Sequence, residues 1–364
     1  MAEFEPTRLS VAMRRRGMTQ RDLAAQCMIT SQHISMIERR QRIPGESLVL
    51  RFAEVLGFPI QFFFDAPISL ITPDAVSFRS RRDMSSSVRD KGLGAGDIAA
   101  SIITPDLNRR FTVPTVDVPD LGAHCPEDAA AILRVRWGLG YEPIQNMVHL
   151  LESKGVAVYW VHADSPALDA VSLWRDNQPF VVLNSLKEAG DRGRFDAAHE
   201  LGHLVLHRRL SDLSNKEAED QADSFASAFL LPYEPFQLEC PRVPDPNALY
   251  RLKIRWKVSL AAMVMRGSAL GIFTEWQKRQ AFQRLNATGE RTREKVPIPR
   301  EQSKLHIMVF DALRKKGITP SAYAAELHLD PATIFELMPV ASLISSSPSN
   351  PPKEIRRGPL RLLP

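Results

Sequence analysis

In one stretch of the chain, residue types and spacing together suggest a reaction: residues 195–207, Phe-Asp-Ala-Ala-His-Glu-Leu-Gly-His-Leu-Val-Leu-His. On a helix, side chains four positions apart stand one above the other, so the imidazoles of His199 and His203 can point at a single tetrahedral Zn2+ ion. Glu200 follows His199 directly. It can reach a water on that ion without being a ligand, which is the general-base role in a His-Glu-x-x-His pattern. Phe195, Ala198, Leu201, Leu204 and Val205 recur at helical spacing, and Gly202 leaves room for a second backbone beside the site. His207 lies one turn beyond His203 on the same face. It is assigned to support or packing around the metal, because the pattern with a third histidine would place that ligand where the chain has Arg209.

A second helix is predicted from Asn215 to Leu230, with Ala222, Phe225, Ala226, Phe229 and Leu230 as its buried face. Glu219 and Asp223 share another face of it. Glu219 is assigned as the third protein ligand. Asp223, one turn on, is placed to accept the free ring N–H of a ligating histidine, His199 being the natural partner. Three protein ligands leave a fourth position for water, which makes such a site catalytic rather than structural.

His-Glu-Leu-Gly-His-Leu-Val-Leu-His, followed by Glu219-x-x-Ala222-Asp223-x-Phe225-Ala226 and Leu230-Leu231-Pro232, resembles the ImmA/IrrE family of zinc metallo-endopeptidases. Val258 to Ala262 and Arg266 resemble the region that follows the zinc site in that family. The resemblance implies a gluzincin-like hydrolase with His199, His203 and Glu219 as ligands and Glu200 as base. It also implies a Cro/repressor-like helix-turn-helix ahead of the protease domain, as in the longer members. It leaves the substrate open, since members act on different, usually repressor-like, partners.

The elements that must position these residues follow from hydrophobic spacing and caps. Residues 1–65 read as an all-α bundle. A first helix runs over 7–16 and ends at Gly17, and Thr19 and Thr30 cap helices over 20–26 and 31–40. Helices at 46–56 and 60–64 complete the bundle, and the two short helices joined by a tight turn are helix-turn-helix geometry. Thr19-Gln20-x-x-Leu23-Ala24, Ile34-Ser35-x-Ile37-Glu38 and Pro44 are similar to the XRE family. By that resemblance the third helix enters the major groove of double-stranded operator DNA. Ser31, Gln32 and Met36 then face base edges, and Gln20, Arg39 and Arg40 contact phosphates.

Residues 66–125, rich in Pro, Gly, Ser and Arg, read as a linker with short pieces such as 97–103, partly packed on the protease domain through Phe78-Arg79-Ser80. An α+β zincin-like domain is expected over 126–240. It holds helices near 127–137 and 143–153, then strands at 155–161, 170–174 and 179–183, the last two joined by a turn at Asp176-Asn177-Gln178. The strand over 171–174 is a candidate edge for pairing an extended substrate. Residues 241–340 read as mostly helical. Within them, residues 318–337 align without gaps on 18–37, matching Thr19 with Thr319, Ala24 with Ala324 and Ile34 with Ile334. A second helix-turn-helix-like pair is therefore expected, whose second helix has no Arg or Lys for phosphate. The tail, 341–364, reads as disordered.

With 364 residues, 44% of them hydrophobic, the chain can form several cores. Three distant cysteines suit a reducing cytoplasm, and no apolar run reaches the ~18 residues of a membrane span. A net charge of +5 fits nucleic-acid contact without establishing it. The expectation is a cytoplasmic DNA-binding zinc endopeptidase that cleaves a repressor-like protein to switch transcription. The alternative is a non-proteolytic regulator, or an antitoxin bound to a toxin partner, whose zinc domain senses or docks. A homodimer remains an open assembly.

Overall fold

A computed structural model of the chain describes residues 3–72, 76–80, 85–162, 168–186, 190–208 and 214–345. The N-terminal bundle starts at α1 (Pro6–Arg16), where the Glu5 carboxylate accepts from Thr7 N at 3.0 Å, and ends at Gly17 in the left-handed region. A reciprocal Thr19/Asp22 cap opens α2 (Gln20–Cys27), and Thr30 caps α3 (Ser31–Glu38). The chain then forms α4 (Glu46–Leu56) and a tight helical turn, Ile60–Phe64. Leu9, Leu23, Ile34, Ile37, Phe52 and Phe62 are fully buried between these elements. The third helix is shorter than its sequence suggests, stopping at Glu38, and Arg40 takes a φ of 59°.

The supposed linker is largely structured. After β1 (Val76–Ser80), one helical run contains α5 (Ser86–Ile98), a π-helical turn over Ala99–Ile103 and α6 (Thr104–Arg110). Two of the glycines that suggested a flexible segment, Gly94 and Gly96, serve close packing instead. A Cβ on Gly94 would lie 2.5 Å from the backbone N of Arg15, so α1 and α5 can touch only because that position has no side chain. The widened turn has its own cause: Pro105 has no N–H to donate to residue 101 and its ring crowds that carbonyl, which a local i→i+5 turn relieves.

Next come α7 (Pro126–Arg136) and α8 (Met147–Ser153), then β2 (Ala157–Val161), β3 (Leu168–Arg175) and β4 (Gln178–Asn184). The sheet has the order β1-β3-β4-β2. β3 is antiparallel to both of its neighbours, β1 and β4, while β4 and β2 are parallel. The β3–β4 hairpin turns through Asp176 and Asn177, both with positive φ, as a tight two-residue connection requires. Because β3 is paired along both sides, it offers no edge to a substrate; β1 and β2 are the outer strands. The expected edge at 171–174 is therefore corrected: β1, drawn from the supposed linker, covers it.

The remaining helices are α9 (Gly190–Leu206), α10 (Asn215–Leu230), α11 (Tyr233–Glu239), α12 (Pro246–Trp256), α13 (Leu260–Ala269) and α14 (Glu275–Ala287). The described C-terminal part holds α15 (Lys304–Lys315), α16 (Pro320–Glu326), α17 (Pro331–Leu337) and α18 (Val340–Ser345). The tail expected to be disordered lies, from residue 346 on, outside the described residues. Contacts divide the chain into two compact units. One comprises residues 1–115, 155–186 and 303–364 and contains the sheet; the other comprises 116–154 and 187–302 and contains α7 to α14.

In the first unit the α5–α6 run packs on the sheet. Tyr159 and Thr104 share a hydrogen bond between hydroxyls at 2.7 Å, and Arg175 donates to Ser101 Oγ at 2.7 Å. His306 of α15 is buried against the rings of Tyr159 and Trp160.

Candidate functional site

The helix with the histidine pair is anchored at its start by charges that burial makes expensive to lose. Asp191 and Glu294 both accept from the fully buried Lys253 Nζ at 2.5 Å. Arg194, also buried, donates to the Ile144 carbonyl and the Glu301 carboxylate. The other oxygen of Glu301 caps α8, accepting from Met147 N at 2.7 Å and Val148 N at 2.9 Å. Gly190 donates to the Ile298 carbonyl at 3.0 Å, and a Cβ there would stand 2.2 Å from the Pro299 carbonyl oxygen. The segment after α14 thus straps the first turn of α9. No spacing rule links residues 191, 194, 253, 294 and 301, and the sequence reading missed them.

α10 lies against the other end of α9. A Cβ on Gly202 would meet Phe225 at 3.1 Å and the Ala222 Cα at 3.2 Å, so the glycine sets how closely the two helices approach. Arg266 fixes the far end of α10, donating to the Leu231 carbonyl at 2.9 Å and, through both terminal nitrogens, to Glu127.

The packing brings three side chains to one point. His199 Nε2 is 3.3 Å from Glu219 Oε2, His203 Nε2 is 3.3 Å from Glu219 Oε1, and the two Nε2 atoms are 3.0 Å apart. The three ligand atoms lie within 4.8 Å of one another. His199 Nδ1 faces Asp223 Oδ1 at 2.8 Å, and His203 Nδ1 faces His207 Nδ1 at 2.9 Å. Glu200 is fully buried on the same turn as His199.

Electrostatics follow from this crowding. Burial opposes a charge on His199, but hydrogen bonds to Asp223 and Glu219 outweigh it and push its pKa up to about 9. Burial would raise Glu219, yet its hydrogen bonds to His199 and His203 hold it down at about 2. Burial lowers His203, and lowers His207 to about 4, with the neighbouring His203 adding to the effect.

Tyr233, Tyr250 and Arg251 carry donors of the kind that stabilise an oxyanion, and no spacing singles one of them out. The Tyr250 hydroxyl is engaged by Glu290 at 2.6 Å, while Tyr233 and Arg251 are exposed.

On the N-terminal bundle, Ser31, Gln32 and Arg39 are exposed, and Met36 is half-buried. Two expected phosphate contacts are engaged within the domain: Gln20 Nε2 donates to Glu38 at 2.5 Å, and Arg40 donates to both oxygens of Glu5 at 2.8 Å. Among the described residues no helix is long and apolar enough to cross a membrane.

Residues 151–268 match the peptidase family described as IrrE N-terminal-like domain, and residues 11–63 match a family described as helix-turn-helix. No curated protein matches the chain. The first match covers β2 to β4, α9, α10 and the helices through α13, and ends before the strap that anchors α9. The chain thus joins an N-terminal helix-turn-helix domain of the XRE type to a domain of the IrrE/ImmA-like peptidase family.

Proposed function

We propose that the chain is a cytoplasmic, DNA-binding zinc endopeptidase of the gluzincin type that cuts a repressor-like regulatory protein and so switches transcription. One observation carries this reading: His199 Nε2, His203 Nε2 and Glu219 converge while Asp223 and His207 occupy the outward ring nitrogens. Two imidazoles and one carboxylate are a donor set that suits Zn2+ and leaves a position for water. These three residues would hold the ion, which when bound polarises the scissile carbonyl and acidifies the attacking water. Glu200 takes the proton of that water and delivers it to the leaving amine. Burial removes competing solvent from this transfer. Asp223 keeps His199 in the tautomer whose Nε2 is free to ligate. On the DNA side, Ser31, Gln32 and Met36 would read bases and Arg39 would meet phosphate. Gln20 and Arg40 would first have to leave Glu38 and Glu5.

The experiment measures zinc content and cleavage of co-expressed candidate repressors on the same samples, for wild type, Glu219→Ala and Glu200→Gln. The expected result is zinc lost in Glu219→Ala, and zinc kept without turnover in Glu200→Gln. Cleavage by metal-loaded Glu200→Gln would remove Glu200 from its role. Zinc without cleavage in the wild type would favour the non-proteolytic regulator or antitoxin.

A further inference from the structure

The helices that follow the metal site enclose a cleft of about 300 Å³, lined by none of the metal-binding candidates and at the small end of the range in which low-molecular-weight ligands are held. Its floor is apolar: Leu249 of α12, Val264 of α13, and Ala281 and Leu285 of α14. Ala281, Arg284 and Leu285, at i, i+3 and i+4, share one face of α14, which sets the arginine at the edge of that floor. Most other charges around the cleft are already committed. Glu290 is buried, accepting from the Tyr250 hydroxyl at 2.6 Å and pairing with Lys295 Nζ at 2.7 Å. Asp245 caps α12, accepting from Ala248 N at 2.9 Å, where the positive end of the helix offsets its charge. The Arg284 guanidinium is exposed and has no hydrogen bond or ion pair among the described residues. Arg279, Arg291 and Arg293, close to it in the chain, are exposed as well, so the uncompensated charge of this stretch is positive.

We propose that this cleft is a binding site for a small carboxylate with an apolar body. The body covers the floor, and the carboxylate pairs with Arg284, whose planar fork matches two oxygens at once. A neutral ligand would gain nothing from the guanidinium, and a cation would face it as a like charge. The strap after α14 shapes the site. Glu290 and Lys295 belong to its wall, while the same segment carries Glu294, which holds Lys253, and Ile298, whose carbonyl accepts from Gly190 at the start of α9. An occupant that steadies this wall therefore steadies the anchor of α9. The inference stands apart from the metal-site reading, since none of the candidate ligands takes part in it.

The test titrates octanoate and, as its uncharged counterpart, 1-octanol into the full-length protein by calorimetry, with Arg284→Leu and Ala281→Trp alongside the wild type. Octanoate should bind the wild type one to one, bind Arg284→Leu about 10-fold or more weakly, and fail to bind Ala281→Trp, whose ring fills the floor. Octanol should bind the wild type and Arg284→Leu alike, about 10-fold more weakly than octanoate binds the wild type. No binding of octanoate to the wild type, equal binding by Arg284→Leu, or octanol as tight as octanoate would overturn the proposal. Hydrogen exchange of the wild type, which needs no variant to fold, locates the ligand. Octanoate should slow exchange over residues 288–298, and protection confined to other segments would overturn the assignment to this cleft.

Discussion

The N-terminal bundle and the helices α15 to α18 follow one register, offset by 300 positions, and put it to different uses. Gly17 and Gly317 both end a helix with positive φ, Thr19 and Thr319 both cap the next, and Met28 and His328 both take the left-handed region, at 55° and 52°. Ile34 and Ile334 are both fully buried. The faces around this shared frame differ. In the first run, Ser31, Gln32 and Arg39 of the α3 region are exposed. In the second, Ala332 and Pro339 stand where Gln32 and Arg39 would be. Glu336, at the place of Met36, pairs with the buried Arg15 and accepts from His162 N at 2.6 Å. Asp330 and His328 meet Arg16 and Asp65 of the N-terminal bundle at 3.6 and 2.9 Å. The frame is set by apolar positions and caps, but reading DNA depends on the residues between them, and in the second run those residues pack against the first.

If both runs are folded frames of equal weight, Ile34→Ala and Ile334→Ala should each cost about 2–5 kcal/mol in denaturant unfolding of the full chain. A cost confined to Ile34→Ala would make the second run a loosely held appendage. The runs also differ in what they bury, since His306 stands where the first run has Pro6. Burial holds the His306 pKa near about 3, below its ordinary 6.5, so its neutral form is the one the fold favours. The stability this provides is complete above pH 6.5 and is lost as pH falls toward 3, by about 1.4 kcal/mol per unit. His306→Phe should flatten that limb of a stability–pH profile; an unchanged slope would assign it to other groups. Glu336→Gln, which weakens the hold on Arg15, should cost about 1–3 kcal/mol. The smallest effects on folding belong to the exposed face. Gln32→Ala and Arg39→Ala should leave unfolding unchanged while weakening operator binding, the arginine change lowering the salt slope by about one. Equal loss of DNA binding on mutating α17 would erase the contrast between the two runs.

How much of this could be read from sequence depended on whether the signal was local. The α9 helix, its two histidines and Glu219 on α10 follow from i, i+4 spacing, and so does His207. The contact of Gln221 Oε1 with His207 Nε2, at 3.1 Å, could not be found that way, because it exists only once α10 crosses α9 at Gly202. The segment over 86–110 was misread for a related reason. Gly92, Gly94 and Gly96 look like a flexible stretch, and only the closeness of the α1 backbone to Gly94, and of Ile71 and Leu173 to Gly96, shows that these two are packing positions. β1 was missed as a strand because it gains its partner, β3, across 88 to 97 residues.

The sequence by itself determined most of the helices outside residues 86–110, many of their caps, the repeat at an offset of 300 and the candidate ligand set, since each depends on neighbours within a few turns. Tertiary structure decided the rest. It assigned the sheet and the histidine helix to different compact units, strapped the start of α9 with Lys253, Glu294 and Glu301, and aimed Glu219 at both imidazoles. Buried charges and metal ligands are chosen by what surrounds them in space, and a side chain's partners across a hundred residues leave no period in the chain.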